Sequence, residues 1–180
     1  VRALAKAGGV EPSDITVCIL ERPRHEDLIA EVRSTGAAIR LITDGDVAGV
    51  IHVAEADKTG IDMYMGSGGA PEGVLAAAAL KCLGGEIQGR YQPRNAAEAA
   101  RCEAAGVSLE RVYRTEDLAP GKSVVFSATG ITDGDLLHGV KFFRDGARTQ
   151  TLSTGYRTQV VRFADSVHLF KRGARVNIHL

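Results

Sequence analysis

The sequence predicts an α/β protein with a mostly parallel, mixed sheet and helices on both faces, and three observations carry that expectation. Short β-branched runs alternate three times with helical segments. The connections between them are only a few residues long, as the crossovers of a parallel sheet require. Beyond residue 140 the pattern changes to hairpin-like extended chain, which adds antiparallel strands at one edge.

Taken in order, Val1 to Ala7 reads as the tail of a helix closed by Gly8-Gly9. Asp14 to Leu20 is a continuous apolar run, the pattern of a strand buried on both faces. Arg24 to Ser34 places Leu28, Ile29 and Val32 at helical spacing and stops at Gly36. Ala38 to Ile42 reads as a second buried strand, Val47 to Ala56 as a helix and Ile61 to Met65 as a third strand. Pro71 to Leu83 is the clearest helix, with proline at its first position, an alanine-rich body, Lys81 in the last turn and Gly84-Gly85 beyond. Asn95 to Ala105 is a further helix on a surface excursion, and Ser123 to Ala128 resumes a buried strand. Val140 to Arg144 and Ala147 to Ser153 make a hairpin about Asp145-Gly146, with more extended chain at Val160 to Phe163 and Val167 to Phe170. No linker-like segment divides residues 1–180, so a single α/β domain is expected.

The 22 Lys and Arg balance 22 Asp and Glu, so no sequence-wide field draws the chain to nucleic acid or to an anionic membrane. Neither is expected as a partner, and any anion must be bound locally. With 44% hydrophobic and 24% charged residues, the composition is that of an ordinary globular protein. No apolar stretch approaches the roughly 20 residues of a membrane span. Cys18, Cys82 and Cys102 are odd in number and lack metal-type spacing, which predicts reduced thiols and a cytoplasmic protein.

Ligands of open α/β sheets bind at the carboxyl ends of the strands. Three polar clusters follow the three alternating strands. Arg22-Pro23-Arg24-His25 sets cations at the mouth of a helix whose amino terminus already carries about +0.5 of a charge. An anion such as phosphate would offset that repulsion, although two solvated arginines on a loop are the plainer reading of this segment taken alone. Asp44-Gly45-Asp46 offers carboxylates to sugar hydroxyls or a hard cation, with a helix cap at Asp46 and a turn as the plainer alternative. Gly66 to Gly73 packs four glycines into eight residues ahead of a proline-started helix, so its amides can converge on an anion. It is neither a Walker A loop nor a dinucleotide fingerprint. Glu72, in the first helical turn, either complements the helix dipole or ligates a hard metal. His52, His138, His168 and His179 stand apart, and His25 is read as either a phosphate contact or a surface residue. The pentapeptide Ile42-Thr43-Asp44-Gly45-Asp46 recurs as Ile131-Thr132-Asp133-Gly134-Asp135 and is read as one device used twice, a strand end turning through glycine.

Together, Glu21-Arg22-Pro23-Arg24-His25, Leu41 to Ala48, Gly66 to Cys82 and Thr129 to Asp135 resemble the class II fructose-1,6-bisphosphatases, some of which also act on sedoheptulose 1,7-bisphosphate. The resemblance implies a metal-dependent phosphatase of layered α/β/α/β/α architecture that hydrolyses the 1-phosphate of fructose 1,6-bisphosphate in gluconeogenesis or the Calvin cycle. It implies Arg22, Pro23, Arg24, Asp44, Gly45, Asp46 and Gly69 as substrate-binding residues, Glu72 as a ligand of Mg²⁺ or Mn²⁺, and a homo-oligomer when intact. Arg22 stands where the family usually has lysine, keeping the charge but changing the donor geometry. The family's Asp-Pro-x-x-Gly-Thr-like segment, which bears other metal carboxylates and the water-activating threonine, is absent: Pro12, Pro23, Pro71, Pro93 and Pro120 follow Glu11, Arg22, Ala70, Gln92 and Ala119. The chain therefore reads as the carboxyl-terminal portion of such an enzyme, with no catalytic residue of its own and no activity alone. A self-sufficient sugar-phosphate-binding module is the competing expectation. A haloacid-dehalogenase-type phosphatase using Asp44 and Asp46 is weaker, since Val47-Ala48 lacks that family's threonine.

Overall fold

The alternation of Thr16 to Leu20 decides the first layer of the fold. In the computed structural model, which describes residues 1–170 and Asp46 by its main chain alone, these residues form β1 (Thr16–Leu20); His179 lies outside the described residues. Val17 and Ile19 point to one face, where Ala5 of α1 (Arg2–Gly8) and Ile29 and Val32 of α2 (Glu26–Ser34) close over them. Cys18 and Leu20 face the other way and are equally buried. Helix α1 ends as expected on Gly9 in the left-handed conformation, φ 68°.

Strands β2 (Ala38–Ile42) and β3 (Met63–Tyr64) pair with β1 in parallel, in the order β2-β1-β3. The second strand is thus an edge strand, and Ala38, Arg40 and Leu41 are exposed rather than buried as its apolar run predicts. The second face is covered by α3 (Asp46–Ala54) and, after the short α4 (Ala56–Thr59), by α5 (Ala70–Leu83), through Val50, Ala76 and Leu80 with Tyr64. Gly49 permits this approach, because a Cβ there would come 2.8 Å from Ile42 Cδ1 and 2.9 Å from Tyr64 Cε2.

An excursion follows: β4 (Gln88–Gly89), α6 (Ala96–Ala104), β5 (Tyr113–Arg114), antiparallel to β4, and α7 (Thr115–Leu118). Then β6 (Val125–Thr129), β7 (Lys141–Phe143), β8 (Gly146–Gly155) and β9 (Val161–Leu169) build a four-stranded antiparallel sheet in which β8 pairs with each of the others. The α/β class stands, but these strands form a sheet of their own instead of an edge of the parallel one. Ile51, Ala79 and Cys82 pack from the helices onto Phe126, Leu137 and Leu152. The layers therefore alternate helix, parallel sheet, helix, antiparallel sheet. Helix α5 is sandwiched between two sheets, which explains its small apolar residues on several sides. The two extended segments expected after residue 160 are one strand, β9. Its Phe163 pairs with Leu152, and Val161 with Thr154, yet both remain exposed. Among the described residues no helix is long and apolar enough to cross a membrane.

The repeated pentapeptide adopts two conformations. In the first copy Gly45 is left-handed, φ 86°, and is the N-cap of α3, so Asp46 is the first helical residue and not the cap. In the second, Gly134 has no positive φ, and Asp133 Oδ1 instead accepts the Gly139 N–H at 2.9 Å. The turn reading holds there, while the expectation of a single device does not.

Lys81 is buried, with Nζ donating to Glu116 Oε2 at 2.7 Å and to the Ala119 carbonyl at 2.9 Å, and lying 5.0 Å from the Tyr156 ring centroid. The Glu116 side chain is 71% exposed, so water solvates its charge and the ion pair itself contributes little. Losing the donor to a buried carbonyl is the larger effect. Lys81→Met is expected to destabilise by about 2 kcal/mol and Glu116→Gln by under about 1 kcal/mol, read from urea midpoints.

At the head of α6, Asn95 accepts the Glu98 N–H, and Glu98 in turn takes the guanidinium and main-chain N–H of Arg94. The Arg94 side chain first, then its amide, lowers the Glu98 pKa from 4.5 to about 2. A depressed carboxylate stabilises fully above its unfolded pKa and loses that contribution as pH falls through the folded one. Protection factors of the first-turn amides of α6, amide exchange corrected for its intrinsic pH dependence, should therefore stay flat down to pH 4.5 and fall from there towards pH 2.

Candidate functional site

Because β1, β2 and β3 run parallel, their carboxyl ends leave the sheet along one edge, and three strands at about 4.8 Å spacing put those ends within roughly 10 Å. Leu20 pairs with Ile42, and Glu21 N–H continues the ladder to the Ile42 carbonyl at 2.8 Å. The segments after the strands therefore start from a common rim.

After β1, Arg22 is extended, and its Nη1 donates to the Glu21 carbonyl at 2.8 Å. Pro23 begins a short 3₁₀ turn to His25. Arg24 is exposed and reaches across the rim, its Nε donating to the Ser67 carbonyl at 2.9 Å. His25 is buried, which removes the reading of a surface histidine: its ring bonds the Leu20 carbonyl at 2.7 Å and Ser67 N–H at 2.9 Å. The arginine segment and the glycine-rich turn are thus joined through one residue, Ser67.

After β2, Asp44 is exposed and its Oδ1 accepts the Gly45 N–H at 2.8 Å, an internal turn contact. Gly45 and the main chain of Asp46 then open α3. After β3, the turn reaches Gly69, the N-cap of α5, which has no side chain to satisfy the first amides of the helix. Glu72 is exposed in the first turn, and its carboxylate folds back over Gly69, where a Cβ would land on Oε2.

A hollow of about 440 Å³ beside the rim is lined by Glu21, Arg22, Pro23, Glu26, Arg33 and Leu41, and includes neither Asp44 nor Glu72. Among the described residues no three His, Cys, Asp or Glu side chains come together as a cation site. Glu72 suits one oxygen position on a hard metal, and the described residues do not complete a coordination shell. Cys18 and Cys82 are buried and their thiol pKa values are raised by that burial, so neither is an activated nucleophile. His52 is buried with Nδ1 unpaired, His138 Nδ1 is 3.9 Å from Asp133, and His168 shares a 2.9 Å bond with Thr149; none reaches the rim segments.

The sequence model described as bacterial fructose-1,6-bisphosphatase, glpX-encoded, matches residues 1–168. The chain belongs to this family. It is 44% identical to the D-fructose 1,6-bisphosphatase class 2/sedoheptulose 1,7-bisphosphatase of Synechococcus sp. (strain JA-2-3B'a(2-13)) over 94% of its own length and 52% of the relative's. It is 45% identical to the protein of that description from Microcystis aeruginosa (strain NIES-843 / IAM M-2473), over 88% of this chain and 50% of that one. The chain thus spans about half the length of the curated relatives it matches.

Sequence reasoning passed over Ser67 and left His25 open. The available signal was a histidine directly after a strand-end arginine, with the one hydroxyl residue in a glycine-rich turn.

Proposed function

We propose that the protein carrying this chain hydrolyses the 1-phosphate of fructose 1,6-bisphosphate to fructose 6-phosphate, as a phosphoric monoester hydrolase of cytoplasmic carbohydrate metabolism. The reading rests on one observation: in a chain of this family, the arginine segment, the Asp44-Gly45-Asp46 corner and the glycine turn before Glu72 leave the same edge of one parallel sheet. Arg22 and Arg24 would neutralise phosphate charge, and the amides at the head of α5 would direct their dipoles at the same anion. Asp44 and Asp46 would accept bonds from sugar hydroxyls, which orients the chain of the sugar between its two phosphates. Glu72 would hold a divalent ion, Mg²⁺ or Mn²⁺. When bound, such an ion lowers the pKa of water and offsets charge on the phosphoryl oxygens.

The test is phosphate release from fructose 1,6-bisphosphate and from sedoheptulose 1,7-bisphosphate by a family-length protein containing this sequence. Release that needs Mg²⁺ or Mn²⁺ and stops with chelator is expected, together with no release by the 180-residue chain alone. Release undiminished by chelator would overturn the reading. Metal-independent binding of the bisphosphate without hydrolysis, unaffected by Glu72→Ala, would establish a binding module in its place.

A further inference from the structure

His25 is held by two main-chain groups from different parts of the rim. Nδ1 lies 2.7 Å from the carbonyl of Leu20, the last residue of β1, and can only donate to it. Nε2 lies 2.9 Å from Ser67 N and must accept that N–H. The Leu20 carbonyl fixes a proton on Nδ1, and the Ser67 N–H at 2.9 Å, nearer to Nε2 than the Ser67 carbonyl and hydroxyl at 3.2 Å, makes Nε2 the acceptor, which assigns the Nδ1–H tautomer. His25 is 2% exposed, so a lost bond is not replaced freely by water. Gly66 makes room for it, because a Cβ there would approach His25 Cε1 at 3.2 Å. Arg24 Nε holds the carbonyl of the same Ser67 whose N–H His25 holds, so Ser67 is gripped on both sides of its main chain.

We propose that His25 is a positioning residue that locks the glycine turn 66–69 to the end of β1 and so sets the amides at the head of α5 for the substrate's phosphate. It does not touch phosphate itself. The proposal rests on the hydrolase reading above for its ligand, but not for its geometry.

Asparagine places an amide where Nδ1 sits, keeping the bond to Leu20 and losing Ser67. Glutamine places its carbonyl where Nε2 sits, keeping Ser67 and losing Leu20. In a family-length protein, His25→Asn is expected to raise KM for fructose 1,6-bisphosphate about tenfold, the loss for one buried unpaired donor, with kcat within about threefold. His25→Gln should stay within about threefold of the parent in both constants. Long-range ¹H–¹⁵N spectra of the unsubstituted 180-residue chain should show the Nδ1–H tautomer, and Ser67 amide exchange should be slow and accelerated by His25→Asn alone. An Nε2–H ring, a rapidly exchanging Ser67 amide, or equal KM values for the two variants would overturn the proposal. If fructose 1,6-bisphosphate proves not to be a substrate, the functional reading fails by itself, and the tautomer and the Ser67 exchange rate still decide the latch.

Discussion

Gly139→Ala is expected to destabilise the protein by about 3 kcal/mol, the upper part of the usual range for overpacking. A Cβ at residue 139 would sit 2.6 Å from both Asp133 N and Thr132 C, and 2.8 Å from Thr132 Cα. All three are main-chain atoms, so no side chain can swing aside. The loop from Gly130 to Val140 would have to open, breaking Gly139 N–H to Asp133 Oδ1 at 2.9 Å and Val140 N–H to Ile131 O at 3.0 Å. It would also drag Leu137, which the loop inserts between α5 and the antiparallel sheet. Asp133 loses a second partner in the process, since Lys141 first and the Gly139 amide next are what hold its carboxyl below the usual range. The control is Gly134→Ala in the same loop, where the nearest atom to an added Cβ is Leu137 O at 4.0 Å. That change should stay within about 0.5 kcal/mol. Urea unfolding of both variants decides the matter: a Gly139→Ala midpoint shifted as little as that of Gly134→Ala would mean the loop yields at no cost.

These two glycines show where a sequence stops being legible. Glycine at 134 sits in the repeated Ile-Thr-Asp-Gly-Asp and looks like the important one, whereas Gly139 belongs to no motif. Its necessity comes from a chain segment six residues back, and only the packed loop reveals it. The longer helices and β1 were legible because their signals are local: the proline start and glycine stop of α5, the glycine cap of α1, the unbroken apolar run of β1; the one-turn helices α4 and α7 are too short to carry such a signal. The exposure of β2 was not, because an apolar run is the same whether a strand lies at the centre or the edge of a sheet. The separate antiparallel sheet escaped for a related reason. Strand partners are chosen by tertiary contact, and nothing in the spacing of β6 to β9 says that β8 pairs with three others and none of them with β1.

The candidate site divides along the same line. Its placement was legible, since parallel strands send their following loops to one edge and the polar clusters fall in those loops. The bonds within it were not. Arg22 spends a donor on the neighbouring Glu21 carbonyl and Asp44 an acceptor on the adjacent Gly45, while the connection across the rim is made to Ser67 by His25 and Arg24. A histidine directly after Arg24 carries no periodic signal, and its value lies in the bonds its ring makes to Leu20 and to the glycine turn.

The largest functional effect is expected at Glu72, and Gly69 supplies the means to test how that carboxylate acts. In a family-length protein, Glu72→Gln should lower kcat by about a hundredfold or more, the loss of a few kcal/mol of charge stabilisation at the reacting phosphate. Stability should fall by no more than the roughly 0.3–1 kcal/mol that a first-turn anion contributes. Gly69 has φ −73° and ψ 150°, extended backbone that alanine adopts without strain, so only space opposes a side chain there. That space holds Glu72 Oε2, the end of a flexible side chain, and Gly69→Ala should move the carboxylate rather than the backbone. The amide of residue 69 is retained. A loss of about tenfold in kcat with an unchanged urea midpoint is therefore expected, along with a higher Mn²⁺ concentration for half-maximal rate. If Gly69→Ala works through Glu72, adding it to Glu72→Gln should cost nothing further, because the carboxylate it displaces is already gone. Fully additive losses in the double variant would show that Gly69 matters by another route and that the fold of Glu72 over it is incidental.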